Sequence, residues 1–301
     1  MTPSDAEIVA ALEPALGRVE RLERRPYEYA SSYALEAIDV AARGVTVPLV
    51  FKNVGSAALS PAGRAAKAGD PTDPGREIAA YRHLLGPRGL GTARCYAAVD
   101  DAAIGHHWLF LERVAGRELY QVGEFALWQA AARWLGRLHA GGPAEGCRAI
   151  RHDAAYYYRW PGRTVLSERA FAVLVEWLTS LPTTAIHGEF YASNVLVQDT
   201  PAGVRICPVD WETLGHGPGL IDLAALTAGR WTDAQRTAIA EAYLGTTQSS
   251  DLETLLVQLD WCRLHLALRW LDGPANWQAP PQQAFDWHNE VRRLAAKLGL
   301  E

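Results

Sequence analysis

Strand-type patterns are concentrated in the first third of the 301-residue sequence, whereas helix-type patterns dominate the remainder. Ser4 and Glu7 form a capping box that predicts a short opening helix. β-Branched and apolar runs then predict five short strands, at 18–24, 35–42, 46–54, 94–99 and 107–112. A chain of this length can bury a substantial core in each of two lobes. We therefore expect an α+β fold.

The two predicted lobes differ in size and content. Residues 1–113 are expected to form a small β-rich lobe with one main helix, at 75–86, preceded by a flexible connection at 53–75. Asp100 and Asp101 are expected to form the turn between the last two strands of this lobe. Residues 114–301 are expected to form a larger, mostly helical lobe, interrupted by one β-pair at 194–197 and 204–209.

Composition excludes several classes of protein. The formal net charge of −5 argues against a nucleic-acid partner, because such proteins present basic surfaces. No apolar run reaches 18 residues and the N-terminus has no basic segment, so neither membrane insertion nor secretion is expected. The four cysteines are far apart in the sequence and predict reduced thiols. We expect a cytoplasmic protein.

A chemically distinctive cluster lies between His187 and Asp210. Glu189 follows His187 by two positions, Asn194 follows Glu189 by five, and Asp210 ends an apolar run. This order of residues supplies a base for a hydroxyl group and two oxygen ligands for Mg²⁺ in phosphoryl transfer. Taken singly, Asn194 is as well explained by a turn cap, and Asp210 by a solvated acid at a strand end.

The motifs together resemble the aminoglycoside phosphotransferase and choline kinase-like branch of the protein-kinase-like fold. The most specific segments are the 187–194 motif, Asp210-Trp211-Glu212, and 219–224 with its Asp222. The resemblance covers nearly the whole chain. It implies a two-lobed kinase fold, ATP and Mg²⁺ as cofactors, Glu189 as base, Asn194 and Asp210 as metal ligands, and structural roles for His187 and Asp222.

The resemblance also implies a nucleotide site in the first lobe. Lys52 occupies the position of the lysine that contacts the nucleotide phosphates, and Glu77 that of the helix acid that pairs with it. Lysine is rare here, since Lys52 is one of only three. The alternative is a surface lysine and an ordinary helix acid.

Two further segments of the first lobe are implicated more weakly. Ser31 and Ser32 lie in the loop where a phosphate-covering loop belongs, but that loop has no glycine and is equally consistent with an ordinary hairpin turn. The main chain of Glu112 and Val114 matches the adenine-binding hinge of the family. Because these contacts use backbone atoms, they do not distinguish ATP from GTP.

Glu189 departs from the family pattern, which has Asp at this position. Glutamate carries the same carboxylate on a side chain one methylene longer, which moves the charge by about one ångström and can cost about 100-fold in rate if the backbone does not compensate. The substitution indicates either a working base in a reshaped site or a weakened enzyme.

The acceptor is poorly defined by the sequence. Residues 226–301 carry seven basic and nine acidic residues, which does not favour a polycationic aminoglycoside. Trp270 and Trp277 belong to a set of C-terminal tryptophans that either stack on an acceptor or pack in the core. The basic and aromatic segment 148–163, which ends at Arg163, either binds an acceptor or is a solvated loop. Glu212 is either a second-metal or acceptor ligand or a surface acid.

These observations predict a small-molecule kinase that transfers the γ-phosphoryl group of Mg·ATP to a hydroxyl of a polar metabolite or antibiotic. We expect it to act as a monomer or homodimer. One alternative is a non-catalytic, pseudokinase-like nucleotide-binding protein. Another keeps the fold but transfers a different part of the nucleotide.

Overall fold

The computed structural model describes residues 3–27, 32–33, 35–66, 72–160, 165–247, 251–271 and 285–300. The chain forms two compact units. Unit 1 comprises Met1–Gly116 with the short segments Glu145–Arg148 and Val209–Glu212. Unit 2 comprises Arg117–Ala144, Ala149–Pro208 and Thr213–Glu301. The mixed α+β class predicted from the sequence is confirmed, with a sheet in the N-terminal part and helices dominating the C-terminal part.

Unit 1 is built on a five-stranded antiparallel sheet with strand order β1-β2-β3-β5-β4. Its strands are β1 Val19–Pro26, β2 Leu35–Ala42, β3 Val45–Asn53, β4 Cys95–Asp101 and β5 His106–Glu112. Alternate residues of the strands share one face of the sheet and form a core with helix α1, Asp5–Leu16. Fully or nearly buried members of this core include Ile8, Ile38, Leu49 and Phe110. All five predicted strands and the opening helix are present.

The helices of unit 1 differ in detail from the expectation. The segment predicted as a flexible connection contains a 3₁₀ turn, Ser56–Ala58, and helix α2, Pro61–Ala66. The predicted main helix begins as α3, Pro74–Ala79, continues as the π-helical segment Ala80–Leu85, and ends as α4, Gly86–Arg88. Pro87 lies just beyond the π-helical segment and cannot donate an i→i−4 hydrogen bond, which favours the wider turn.

The turn between the last two strands is displaced from its predicted position. Asp100 and Asp101 belong to β4, and the turn lies at 102–105. Asp100 pairs with His107 across the sheet, and the His107 Nδ1–H donates to Asp100 Oδ1 at 2.7 Å. This side-chain hydrogen bond stabilises Asp100 in the strand. Turn propensity alone would have placed this aspartate in the loop.

Unit 2 is mostly helical. Its helices are α5 Phe125–Ala140, α6 Ala154–Tyr157, α7 Glu168–Ser180, α8 Leu220–Leu226, α9 Asp233–Leu244, α10 Leu252–Leu271 and α11 Trp287–Lys297. Each of these helices, like those described in unit 1, lacks the combined length and apolarity that crossing a membrane requires.

Two small sheets complete unit 2, where the sequence predicted only one β-pair. Its strands are β6 Arg117–Glu118, β7 Ile150–Arg151, β8 Thr183–Ile186, β9 Val195–Thr200, β10 Gly203–Pro208 and β11 Gly215–Pro218. The predicted pair is the β9–β10 hairpin, extended on one side by β6. The second sheet has the order β7-β11-β8 and was not predicted. Its strand β11 reads Gly-His-Gly-Pro, a composition typical of turns.

A buried ionic network joins α10 and α11. Arg263 donates to Asp260 Oδ1 at 2.6 Å and to Glu290 Oε1 at 2.5 Å, and all three residues are less than a tenth exposed. We expect Arg263→Met to lower the free energy of unfolding by about 2–3 kcal/mol, because the buried carboxylates of Asp260 and Glu290 then keep only the partly exposed cations Lys297 and Arg293 as partners. Urea denaturation of both proteins would measure the difference.

Lys297 provides the control for this prediction, because its Nζ lies 2.6 Å from Asp260 Oδ2 but its side chain is 58% exposed. Lys297→Met is expected to cost less than about 1 kcal/mol. Equal losses in the two variants would contradict the importance of burial in this network.

Candidate active site

Unit 1 brings together the three charged side chains that the sequence assigns to the nucleotide phosphates and the metal. Lys52 Nζ on β3 lies 2.7 Å from Glu77 Oε2 on α3 and 2.5 Å from Asp210 Oδ1, which follows β10. The Lys52 and Glu77 side chains are 9% and 2% exposed, whereas that of Asp210 is 24% exposed. The lysine is therefore held by two carboxylates and cannot extend into solvent.

The charged groups of this cluster shift one another's pKa. Burial opposes protonation of Lys52, but Asp210, Glu77 and Glu212 together raise its pKa well above the usual value, so it stays cationic. Burial raises the pKa of Glu77, and the negative charges of Asp210 and Glu212 raise it further, against the opposing effect of Lys52. The carboxyl oxygens around Lys52 suit a hard divalent cation such as Mg²⁺.

The backbone around Asp210 is held in an uncommon conformation. Asp210 has φ +66°, in the left-handed region that aspartate tolerates better than most residues. The N–H of Trp211, a completely buried residue, donates to Glu77 Oε1 at 3.3 Å. Arg76 Nη1 donates to the carbonyl of Glu212 at 2.8 Å. These bonds hold the segment that follows Asp210 and so orient its carboxylate.

Tyr33 belongs to this cluster and was missed by the sequence analysis. Its ring centroid lies 5.5 Å from Lys52 Nζ, and burial raises the pKa of its hydroxyl, as does the charge of Glu212. Ser32, next to it, is half-buried and accepts a hydrogen bond at its carbonyl from Ser60, whereas Ser31 lies outside the described residues. Strand β2 pairs with β3 so that Leu35 lies opposite Lys52. Residues just before Leu35 therefore lie near the lysine.

The candidate hinge lies at the end of β5. The N–H of Glu112 donates to the carbonyl of Arg94 at 2.8 Å, and the Glu112 side chain accepts from the Arg94 N–H at 3.1 Å. Val114 is buried, and its carbonyl accepts from Gly116. The adenine contacts assigned to Glu112 and Val114 by the resemblance remain predictions.

In unit 2 a buried aspartate holds the loop that carries Glu189. Asp222, on α8 and fully buried, accepts hydrogen bonds from the N–H groups of His187 at 2.6 Å and Gly188 at 2.8 Å. Gly188 has φ +86°, and a Cβ on it would lie 2.6 Å from the carbonyl oxygen of Thr213. Only glycine fits this position without strain. His139 Nε2 also lies 3.3 Å from Asp222.

The same loop positions Glu189 and Asn194. Asn194 Nδ2 donates to the carbonyl of Glu189 at 3.0 Å, just before β9 begins. Because the amide nitrogen of Asn194 makes this hydrogen bond, its amide oxygen is the atom that suits a metal ion. The Glu189 side chain is 30% exposed, and its Oε1 lies 3.9 Å from Arg269 Nη2. Arg269, far away in the sequence, was not predicted, and no local pattern distinguishes it.

The predicted site residues thus fall into two groups. Unit 1 holds Lys52, Glu77 and Asp210, and unit 2 holds His187, Glu189, Asn194 and Asp222. Two residues considered for the acceptor, Arg163 and Trp277, lie outside the described residues. Within the described ranges, no group of three or more His, Cys, Asp or Glu residues is arranged as a metal site. The roles assigned to the individual residues remain predictions.

Comparison with solved structures shows that the chain shares its fold with several kinases. An ethanolamine kinase of Plasmodium vivax superposes with a TM-score of 0.61 at 13% identity, over 93% of this chain and 82% of that one. A microcompartment-associated aminopropanol kinase gives 0.60 at 17% identity, over 99% of both chains. The choline kinase LicA of Streptococcus pneumoniae, in its complex with AMP, gives 0.53 at 13% identity, over 99% of both chains.

Sequence comparison identifies a family but no individual relative. No individual curated protein matches the chain significantly. The profile of the phosphotransferase enzyme family (APH), however, matches residues 64–256, which is more than half of the chain and includes Glu77, Glu189, Asn194 and Asp210. The resemblance inferred from the sequence motifs is therefore confirmed, and the chain belongs to the phosphotransferase enzyme family.

Proposed function

We propose that the protein is an ATP-dependent kinase that phosphorylates a hydroxyl group of a small molecule. The observation that carries the proposal is the buried cluster of Lys52, Glu77 and Asp210, with Nζ–O distances of 2.7 and 2.5 Å. A lysine fixed by two carboxylates is suited to contact phosphate oxygens, because it is charged and cannot turn toward solvent. Membership of a phosphotransferase family supports the same assignment.

Mg²⁺ would be held by Asp210 and Asn194, which offer a carboxylate and an amide oxygen. When bound, the ion supplies charge neutralisation for the phosphate oxygens. The chain's own contribution is to fix both ligands. Asp210 is fixed by Lys52, and Asn194 by the bond from its Nδ2 to the Glu189 carbonyl. The carboxyl oxygens around Lys52 support a divalent cation.

Glu189 would accept the proton of the acceptor hydroxyl. Its main chain is held by Asn194, and the loop before it by Asp222, so the carboxylate extends from an ordered backbone. Such a group contributes about 10²–10⁴-fold to proton transfer when it lies within hydrogen-bond reach. ATP as the donor is supported by the complex of the S. pneumoniae relative with AMP, which holds the same base and sugar.

Calorimetric titration with ATP, with and without Mg²⁺, tests the proposal without knowledge of the acceptor. We expect binding that strengthens at least about tenfold with Mg²⁺, because the cation relieves the repulsion between phosphate and the carboxylates around Lys52. A screen of hydroxyl compounds, analysed by mass spectrometry, should then give a product heavier by one phosphoryl group. Binding of ATP without any transfer would favour the non-catalytic, pseudokinase-like alternative. A product that carries a nucleotidyl group would favour an enzyme that transfers a different part of the nucleotide.

A further inference from the structure

A cation lies beside the proposed base. Arg269, in the last turn of α10, has its Nη2 3.9 Å from Glu189 Oε1, and its Cζ lies 4.7 Å from the ring centroid of Trp160. The Arg269 side chain is only 13% exposed. At 3.9 Å the contact with Glu189 is an ion pair without the short hydrogen bond, about 2.7–2.9 Å, that such groups form when optimally placed.

Trp160 connects this cation to further aromatic side chains. Trp160 packs edge-on against Tyr156 at 6.1 Å, and Tyr156 stacks on His152 at 3.9 Å. Tyr157 and His265 pack edge to face at 4.9 Å. We call these five residues the aromatic cluster. Four of its polar groups are buried without a hydrogen-bond partner in the part of the chain that the structure describes: Trp160 Nε1, His152 Nδ1, Tyr157 OH and His265 Nε2.

The two histidines of the cluster are neutral. Burial lowers the pKa of His152 well below its usual value, and the charge of Arg269 lowers it further. Burial, followed by the charge of Arg269, lowers the pKa of His265 to about 3. Among the described residues, positive charge reaches the cluster from the guanidinium of Arg269 and from that of Arg159, whose Cζ lies 6.0 Å from the ring centroid of Tyr156.

A second group of aromatic residues comprises Tyr191, Trp270 and Trp287, of which Tyr191 lies close to Glu189 and Trp270 next to Arg269 in the sequence. Tyr191, two residues after Glu189, packs edge-on against Trp270 at 5.5 Å, and Trp270 stacks on Trp287 at 5.4 Å with an interplanar angle of 4°. The surroundings of Glu189 thus combine flat aromatic faces with the guanidinium of Arg269. Such surroundings suit a ligand with a ring and a planar anionic group, which arginine binds through its fork of N–H donors.

We propose that the acceptor is a small hydroxylated carboxylate, and that Arg269 determines this preference by binding the carboxylate while the hydroxyl approaches Glu189. This inference rests on the proposed function of Glu189. An ammonium group held near the guanidinium would be repelled, at a cost on the order of tenfold in affinity for a separation of about 5 Å, because Glu189 offsets part of the guanidinium charge. The acceptor would thus differ from the amino alcohols for which the ethanolamine and aminopropanol kinases are named.

Three probes that share one ring and one hydroxymethyl group but differ in charge test this preference. They are para-hydroxymethyl benzoate, benzene-para-dimethanol and para-aminomethyl benzyl alcohol. Calorimetry in the presence of Mg·ADP measures their binding without turnover. We expect the benzoate to bind on the order of tenfold more tightly than the amine, with the diol between them. In Arg269→Gln the three affinities should fall within a few-fold of one another.

Two further variants make the outcome decisive. Arg137→Gln removes the same charge from an exposed position on α5 and should leave the ranking unchanged. Arg269→Lys keeps the charge and should retain the preference for the benzoate, in weakened form, which preserves the test if the glutamine variant does not fold. Tighter or equal binding of the amine, a ranking unaffected at position 269, or no binding of any probe would overturn the proposal.

The test also separates this proposal from the proposed function. Phosphoryl transfer to the amine probe but not the benzoate would support the kinase activity and overturn the acceptor class. A charge ranking as expected, with no transfer to any hydroxyl compound, would support the acceptor site and count against the kinase activity.

Discussion

Asp210→Asn is expected to lower kcat/KM for phosphoryl transfer by about 10³-fold while leaving the fold intact. Asparagine keeps an oxygen at the metal position but removes the charge that binds both Mg²⁺ and Lys52 Nζ, 2.5 Å away. Loss of one preorganised charge-stabilising group costs about 10²–10³-fold, and here the metal's own contribution weakens as well. Asparagine also tolerates φ +66°, so the backbone should not change. Initial rates of ADP release over a series of Mg²⁺ concentrations measure the effect.

Asp210→Ala is the informative comparison. It removes the same charge, but alanine in the left-handed region adds about 1–2 kcal/mol of backbone strain. We therefore expect similar activity loss in the two variants and a lower thermal midpoint only for alanine. Wild-type turnover in the asparagine variant, or a Mg²⁺ dependence unchanged from wild type in both variants, would remove Asp210 from the metal site.

The sequence allowed the larger elements and the charged residues of the site to be predicted. The strands of unit 1 carry apolar residues at alternate positions, such as Ile38 and Val40, and that period is a local property. Lys52 and Glu77 were assigned through the resemblance to the kinase family, and Asp210 because an aspartate that ends an apolar run suits Mg²⁺ chemistry. The 2.7 Å distance between Lys52 Nζ and Glu77 Oε2 depends on the tertiary structure, in which β3 lies between β2 and β5.

The elements that were missed depend on tertiary structure. Strand β11 contains two glycines and a proline, and it is a strand because Ile150 and Ile186 flank Gly215 as backbone partners on either side. The π-helical segment Ala80–Leu85 reflects the proline that follows it. Arg269 and Tyr33 reach their positions through packing alone, since neither lies in a motif. Local periodicity carries no information about such contacts.

Glu189→Gln is expected to lower kcat by about 10²–10⁴-fold with little change in ATP affinity. The amide has nearly the same shape as the carboxylate but cannot accept the hydroxyl proton. Main-chain bonds help to hold residue 189 and include those from Asn194 Nδ2 to its carbonyl at 3.0 Å and from its N–H to His187 Nδ1 at 3.4 Å. Substitution of the side chain should therefore leave the loop and the candidate metal ligand Asn194 in place.

Glu189→Asp distinguishes a reshaped site from a weakened one. If the backbone is placed for glutamate, the shorter side chain withdraws the carboxylate by about one ångström and should lower kcat by about 100-fold. If the backbone is instead placed for aspartate, glutamate misplaces the carboxylate, and Glu189→Asp should raise kcat. Single-turnover rates for wild type, Glu189→Asp and Glu189→Gln separate these results from changes in product release. Equal rates in all three would remove Glu189 from the chemistry and leave catalysis to positioning by Lys52 and the metal ligands.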